Sequence, residues 1–270
     1  MFDKELKRAI GDRKTWGLLV FGILLVIAYF VQYTLDFAYR NCLLMEHDFP
    51  MVCPTTVYEG WIGSGTFSLQ SFLYYMILPL LVAGSYADSL YTERKSGYLK
   101  NILLRIDFKN YVVGKLFAVF FVSGVVFTFP LIISFLLAAT VLPNHMPELT
   151  CAVTLIRGTS FMGALYYSHP MVYTCIWWMI DFVYAGLVGC VAMLYAFYVE
   201  HRFYLYAVPF IIWMFINSIF GIFHLEGCSP IYFLNPGFGY AKKEAVVVYA
   251  GVLILTIGTE YIIGKNREIL

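Results

Sequence analysis

Charge is scarce in this chain. Only 13% of its 270 residues are Asp, Glu, Lys or Arg, against 61% hydrophobic ones. About a quarter is usual in a soluble globular domain, so a water-soluble globule is excluded. Catalytic signatures are lacking as well. No G-x-x-x-x-G-K-[ST] phosphate loop occurs, and no H-E-x-x-H, paired-aspartate or G-x-S-x-G pattern. Gly114-Lys115 runs on into Leu116 and has no earlier glycine at the phosphate-loop spacing. The five histidines show no ligand spacing, and no pair of the six cysteines has the spacing of a metal finger. No metal, no cofactor on this chain and no catalytic residue is therefore expected. The longest non-membrane stretch, residues 36–70, is too short to bury a core of its own. Long internal repeats and low-complexity tracts are lacking too.

What is present is a series of six long apolar runs, near residues 17–35, 71–91, 111–142, 172–198, 204–224 and 245–263. A helix needs about 20 apolar residues to cross the hydrocarbon core of a bilayer. The expected fold class is an all-α membrane protein, with six spans in a single domain over residues 1–270. The first run is longer than a signal-peptide core and no small-residue cleavage site follows it, so it is read as a retained span. Inner flanks of spans are enriched in Lys and Arg. With the N-terminus inside, Lys4, Lys7, Arg8, Arg13, Lys14, Arg94, Lys95, Lys100, Arg105, Lys109, Lys115, Arg202, Lys265 and Arg267 all lie inside, fourteen of the 18 basic residues. Arg40, Arg157, Lys242 and Lys243 remain outside. Both termini are expected in the cytoplasm.

Residues 1–16 read as an interfacial helix. Phe2, Leu6, Ala9 and Ile10 share one side at helical spacing, and Asp3, Lys4, Lys7, Arg8 and Lys14 take the other. Such a helix rests on anionic membrane lipid, with Trp16 at the headgroup level. The outer segment 36–70 holds Pro50, Pro54 and Gly63-Ser64-Gly65, which break regular structure. Within it, Cys42 and Cys53 are placed either to pair in an oxidising exterior or to remain free thiols, as are Cys151 and Cys228 in later outer segments. Pro79 predicts a kink in the second span. In the fourth, Ala185, Gly189, Ala192 and Ala196 form a small-residue stripe that suits a contact within the chain or a dimer seam. Residues 225–243 place Ile231, Tyr232, Phe233 and Leu234 between proline and glycine breakers, a piece too brief to span and suited to an outer re-entrant segment. Aromatic residues reach 19%. Many fall near span ends, among them Tyr29, Tyr33, Tyr74, Tyr75, Trp177, Trp178, Tyr198 and Tyr204, which predicts an interfacial belt or an aromatic-lined path.

The most specific local signal is the inner segment 92–110. Leu99, Ile102, Leu103 and Ile106 stand at i, i+3, i+4 and i+7, the apolar face of a short helix. That face either docks in a partner's groove or packs on the inner ends of the spans. Glu93, Gly97, the leucine-rich run 99–104 and Gly114-Lys115 follow one another in an order that resembles the permease subunits of type-2 ABC exporters. The layout as a whole is similar too: leader, six spans, large first outer loop and broken outer segment before the last span. The resemblance implies a type-2 exporter fold in the cytoplasmic membrane of a bacterium, two permease copies forming a homodimeric pathway, and two ATPase subunits beneath them holding ATP and Mg. It implies a coupling surface at Glu93, Ser96, Gly97, Tyr98, Leu99, Ile102, Leu103 and Ile106, with the leader packed beside it and Glu93 in polar contacts there. The segment looks closer to drug- and peptide-export permeases than to polysaccharide exporters, so an amphipathic cargo is expected: a peptide, a drug or a lipid-like molecule.

Ionisable groups inside a membrane are expensive and often functional. Asp88 and Glu260 fall near the inner ends of the second and sixth spans, where hydration at headgroup level accounts for them equally well. Asp181 lies deep in the fourth span and Asn217 in the fifth, as candidates for a substrate path or a helix pairing. Two other classes remain open. An intramembrane enzyme acting on lipid would use Asp181 or Glu260 with a histidine as acid and base. An ATP-independent channel or ion-coupled transporter would favour inverted repeats. No nucleic-acid partner is expected.

Overall fold

A computed structural model describes residues 2–47, 54–65, 68–148, 155–239 and 241–268, with the side chains of 2–3, 44–47 and 263–268 left out. Every regular element among the described residues is helical. A leader helix α1 (Phe2–Gly11) turns at Asp12 into α2 (Arg13–Tyr29), whose first turn Asp12 caps by accepting from the Lys14 amide at 3.1 Å. A π-helical turn over Phe30–Thr34 carries α2 into α3 (Leu35–His47). Then come α4 (Leu69–Met76) and α5 (Leu78–Val82), followed by a second π turn at Ala83–Ala87 and α6 (Ser89–Lys95). A short α7 (Tyr98–Leu103) leads into the 34-residue α8 (Phe108–Val141). The chain ends with α9 (Gly163–Ser168), α10 (Pro170–Tyr195), α11 (Arg202–Ile222), α12 (Pro230–Leu234) and α13 (Lys243–Glu268).

Five of these helices, counting Arg13–Leu43 as one, are long and apolar enough to cross a membrane among the described residues. The pair Leu69–Met76 and Leu78–Ala87 makes a sixth if its 49° bend is one broken span. Pro79, in the first turn of α5, sits at that bend as its missing N–H dictates. Much of the surface is hydrocarbon. Val247, Val248, Val252, Ile254 and Leu255 on α13 and Ile211, Ile212 and Phe215 on α11 are all exposed, an apolar patch that water does not tolerate and lipid does.

The first span is longer than expected. Helix continues past residue 36 through His47, and the predicted breaker Pro50 lies outside the described residues. Residues 55–64 then fold back and are buried. Their backbone is not left bare: Asn41 exchanges two hydrogen bonds with Thr55 (2.8 and 2.9 Å), Thr34 donates to Gly60 O (2.8 Å) and Ser134 Oγ accepts from the Ile62 amide (2.9 Å). Irregular backbone at membrane depth survives only where protein satisfies it in this way. Cys53 and Cys151 lie outside the described residues, and Cys42 and Cys228 are free thiols. The segment before α13 forms the short buried helix α12 and a 3₁₀ turn at Pro236–Phe238, in keeping with a piece too brief to span. Asn235 joins it to α4 by donating to Ser71 Oγ at 2.8 Å.

The core divides into two clusters. One, rich in rings, gathers Tyr29, Trp61, Tyr74, Tyr75, Phe127, Tyr166 and Trp177. Tyr29, Tyr74, Tyr75 and Trp177 are buried inside the bundle rather than set in a belt; Tyr74 and Tyr75 pack on Phe127, and Trp177 on Phe161 and Tyr173. Trp16, by contrast, is 55% exposed, as an interfacial ring should be. The other cluster collects Ala9, Ala83, Leu90, Leu99, Val119 and Ala192 at the opposite end.

The two halves are held together by α8 against α10. Three glycines set that distance. A Cβ on Gly124 would lie 2.6 Å from the Phe182 ring, one on Gly186 2.5 Å from Phe120, and one on Gly189 2.3 Å from Ser123 Oγ. The stripe Ala185, Gly189, Ala192 therefore serves a contact within the chain, and all three residues are buried. Gly189→Leu should overpack this seam and cost about 1–3 kcal/mol. Gly251→Ala on α13, where a Cβ meets nothing within 4 Å, should not destabilise and should gain up to about 1 kcal/mol of helix propensity. Thermal melting of both variants in detergent micelles checks the contrast.

Candidate functional site

The elements that carry most basic residues converge at one end of the bundle, and two buried charge clusters form there. The first is built on α1, α6 and α8. Lys115, one turn inside α8 past Tyr111, has 0% exposed side chain. It is ion-paired with Glu93, and Glu5 stands 3.8 Å away. Glu5 itself is 1% exposed. Arg8 completes the group at 3.0 Å from Glu5 and 3.6 Å from Glu93. Two carboxylates and two cations thus balance. Tyrosines close the remaining valences: Tyr86 donates to Glu5 at 2.9 Å, Tyr111 donates to Glu93, and Lys115 donates to Tyr111 Oη at 3.1 Å. Arg8 donates to Tyr98 Oη at 2.7 Å. That bond raises Arg8 above its ordinary value against the opposing pull of burial, with help from Glu5 and Glu93, so the guanidinium stays charged.

The second cluster is centred on Asp88, at the start of α6. Sequence position alone leaves this group hydrated at headgroup level; instead it is 2% exposed. Lys14 reaches it at 2.9 Å, Arg202 forms an ion pair with it and Tyr206 donates to it at 2.8 Å. One carboxylate therefore ties the first turns of α2 and α11 to α6. Beside it, Arg94 donates to the carbonyls of Ala196 (3.0 Å) and Phe197 (2.6 Å), where the last carbonyls of α10 lack helical partners.

The local turn chemistry follows the sequence. Gly97, between α6 and α7, has φ 72°, a left-handed conformation that glycine adopts without penalty. It reverses the chain so that α7 folds beneath α6. A six-residue helix has little stability alone, and α7 is held by its apolar face. Leu99 is 2% exposed in the second core cluster, and Ile102, Leu103 and Ile106 pack against it. Of the predicted apolar face, Leu99 is thus taken up by the chain's own core, while Ile102, Leu103 and Ile106 stay partly exposed. Tyr98, 40% exposed, and Leu104, 86% exposed, point furthest out among the apolar side chains of α7 and its flank. An open cavity of about 970 Å³ separates them from α1, lined by Lys4, Lys7, Arg8, Tyr98, Leu104 and Arg105 among others. Glu93 sits partly buried in the first cluster and Ser96 at the end of α6, its hydroxyl donating to Glu93 O at 3.2 Å.

On the leader, the inward positions are Glu5 and Ala9. Leu6 is half-buried and Ile10 is exposed, joining Trp16 in a shallow apolar groove against α8. The side chain of Phe2 lies outside the described ones. The leader is thus pinned to the bundle by a carboxylate on the face expected to be greasy. Glu5 gives only a weak sequence signal, one of three acids in a basic leader, at i, i+3 from Arg8. Lys14, Arg202 and Tyr206 carry none beyond their position near span ends.

The polar candidates within the spans go to separate places. Asp181 on α10 is fully buried; Tyr75 donates to its Oδ2 at 3.4 Å, and Oδ1 has no partner among the described residues. Asn217 on α11 accepts from Ser229 at 2.6 Å and anchors the segment before α12. Glu260 on α13 lines a groove with α10 and α11. No group of three His, Cys, Asp or Glu suited to a metal occurs among the described residues.

Among the described residues the protein is thus all-helical, with five or six helices long and apolar enough to cross a membrane. Compared with known proteins, the chain matches no family model, no curated sequence and no solved structure.

The first cluster predicts a thermodynamic signature. Lys115→Met leaves Glu5 and Glu93 facing each other out of water and should cost about 3–5 kcal/mol. Adding Glu93→Gln should recover a large part of that loss, because the uncompensated charge is then removed. A double-mutant cycle on denaturation in micelles measures it; additive losses would show that the pair is not coupled.

Proposed function

We propose that this chain is the membrane-spanning permease subunit of a type-2 ABC exporter, moving an amphipathic peptide, drug or lipid-like cargo out across a cytoplasmic membrane. The observation that supports it best is the lock between the leader, the α6–α7 turn and the first turns of α8 through Glu5, Arg8, Glu93 and Lys115. A push applied to α1 or α7 reaches a 34-residue span through paired buried charges rather than through a flexible loop. The concentration of basic groups at that end favours a cytoplasmic location for it, and for both termini, by the positive-inside tendency.

The chain has no phosphate loop, so ATP and Mg belong to two separate ATPase subunits. Their docking surface is the outward side of α7 with the leader: Tyr98, Leu104 and Arg105 around the basic cavity. A partner element that fits presents acidic side chains about one apolar residue. ATP-driven closure of the ATPases moves α1 and α7 together, α6 and α8 follow, and a pathway shared with a second copy of the chain switches access. Asp88 acts as the hinge block at the ends of α2, α6 and α11.

Co-expression with candidate ATPases tests the reading. Leu104→Asp with Arg105→Glu should reduce ATPase co-purification and cargo-stimulated hydrolysis at least about tenfold, while the melting temperature of the chain stays unchanged because Leu104 is bare. Retention of a coupled complex in this variant would remove the proposed surface. Substituting Leu99 or Leu103 is uninformative, since both side chains hold α7 to the bundle.

A further inference from the structure

The helices that cover α10 on one side do not close completely. Between α10, α11 and α13 lies a groove of about 310 Å³, within the size range of small-molecule sites. Val188, Ile212, Trp213, Val252 and Leu253 are among its apolar walls. One acidic side chain and no basic one lines it: Glu260. Its Oε2 is shut off from solvent and has no hydrogen-bond partner among the described residues, and no described basic group lies within ion-pair distance of it. A carboxylate withdrawn from water in this way is costly until a cation or donor meets it.

The charge lies at one end of the groove. Glu260 and Tyr195 stand toward the end that holds the basic clusters, whereas Tyr249, Phe233 and Pro230 stand toward the other. From Tyr249 to Glu260, α13 rises ~16 Å, the length of a single alkyl chain. Apolar walls of that length, with an acid at one end that no described group pairs, complement a molecule that has a greasy body and a positive head. Phosphate, sulfate and carboxylate heads meet repulsion instead, and an uncharged head leaves the acid unmet.

We infer that the groove between α10, α11 and α13 binds a cationic amphiphile, one alkyl or aryl chain bearing an ammonium or guanidinium head, with the head paired to Glu260. The site is a property of the single chain and does not depend on the transport reading. Entry is lateral, because α11 and α13 leave much of their surface facing hydrocarbon. The chain of the ligand lies along Trp213 and the head settles at the level where the basic end begins.

The purified chain in nanodiscs of zwitterionic lipid provides the test, with no ATPase present. The probes are bromoundecylammonium, bromoundecanol and bromoundecanoate, whose bromine quenches a tryptophan on contact. The component lost in Trp213→Phe reports the groove. The ammonium probe should quench it saturably and at least about tenfold more tightly than the alcohol, with the carboxylate weakest. Glu260→Gln should bring the ammonium to the level of the alcohol. Val252→Phe, on an exposed face of α13 that folding does not rely on, should weaken all three by filling the groove. The discrimination among probes is read in the wild-type chain, so it stands even if Glu260→Gln fails to fold. Equal binding of alcohol and ammonium would mean that the groove holds ordinary lipid, and the inference falls. Failure of every probe to reach Trp213 would mean that a second copy or another helix covers it, with the same consequence. An ammonium preference that survives Glu260→Gln in a folded variant places the cation elsewhere and also overturns it.

Discussion

Lys115 has no exposed side-chain surface in a bundle whose exterior is hydrocarbon, and the arrangement of the basic end follows from what that ammonium requires. A charge withdrawn from water is tolerable only with its opposite in contact and its remaining donors used. Glu93 supplies the contact, Tyr111 takes a second donor and Glu5 neutralises what is left. Supplying Glu5 adds a charged tie to the leader, which Ala9 and Leu6 already pack against α8. Arg8 then balances the second carboxylate. The leader is thus part of the fold's electrostatics, and the short α7 inherits its position from the same group through Tyr98 and Leu99.

A different constraint rules the other end. There the chain leaves helical geometry at membrane depth, in the 54–65 segment and again around α12. Each freed amide and carbonyl has to be met by protein. Asn41, Thr34, Ser134, Ser71 and Asn235 do this through side-chain bonds to backbone and to one another. Rings fill the space between, as with Trp61 against Phe135 and Trp178. The basic end is therefore organised by paired charges and the opposite end mainly by side-chain bonds to backbone among aromatics, the buried Glu59 accepting from the Thr56 amide there. The contrast matters mechanically. Charge pairs between separate helix ends re-form after a small displacement, whereas a packed aromatic core moves as a block.

Much of this was legible in the sequence. Runs of about 20 apolar residues announce spans, and the predicted 111–142, 172–198, 204–224 and 245–263 correspond to α8, α10, α11 and α13 with boundaries shifted by a few residues. Pro79 announced the bend, since it rests on a local backbone property. What escaped depends on tertiary partners. The helix past residue 35 has a mixed composition, so no apolar run marks it. The rings at Tyr74, Tyr75 and Trp177 have the spacing of a belt, yet become core because rings such as Phe127, Tyr173 and Phe161 meet them in the fold. Asp88 and Glu5 look like surface acids until Lys14, Arg202 and Lys115 converge on them. The amphipathic face of α7 was visible, but periodicity does not say whether a greasy face meets a partner or the chain itself. Leu99 answers that by its burial.

The same distribution of packing explains why an unfilled groove survives where it does. α8 and α10 carry most of the buried side chains of the spans, and glycines bring them to near contact. α11 and α13 contribute few: only Leu205 and Trp213 are buried along α11. Such helices can shift outward at small cost, because the dispersion attraction they give up inside the bundle is replaced by attraction to lipid tails of similar polarity. A carboxylate placed on the inner face of the least anchored helix is therefore cheap to carry when something fills the space and expensive when nothing does. Glu260 occupies that position, at the mouth between helix and lipid rather than inside the charge clusters that hold the basic end together. Ligand entry at this seam would tighten α13 against α10 while leaving the Lys115 and Asp88 groups intact, so occupancy of the groove and the integrity of the basic end are separable properties of one fold.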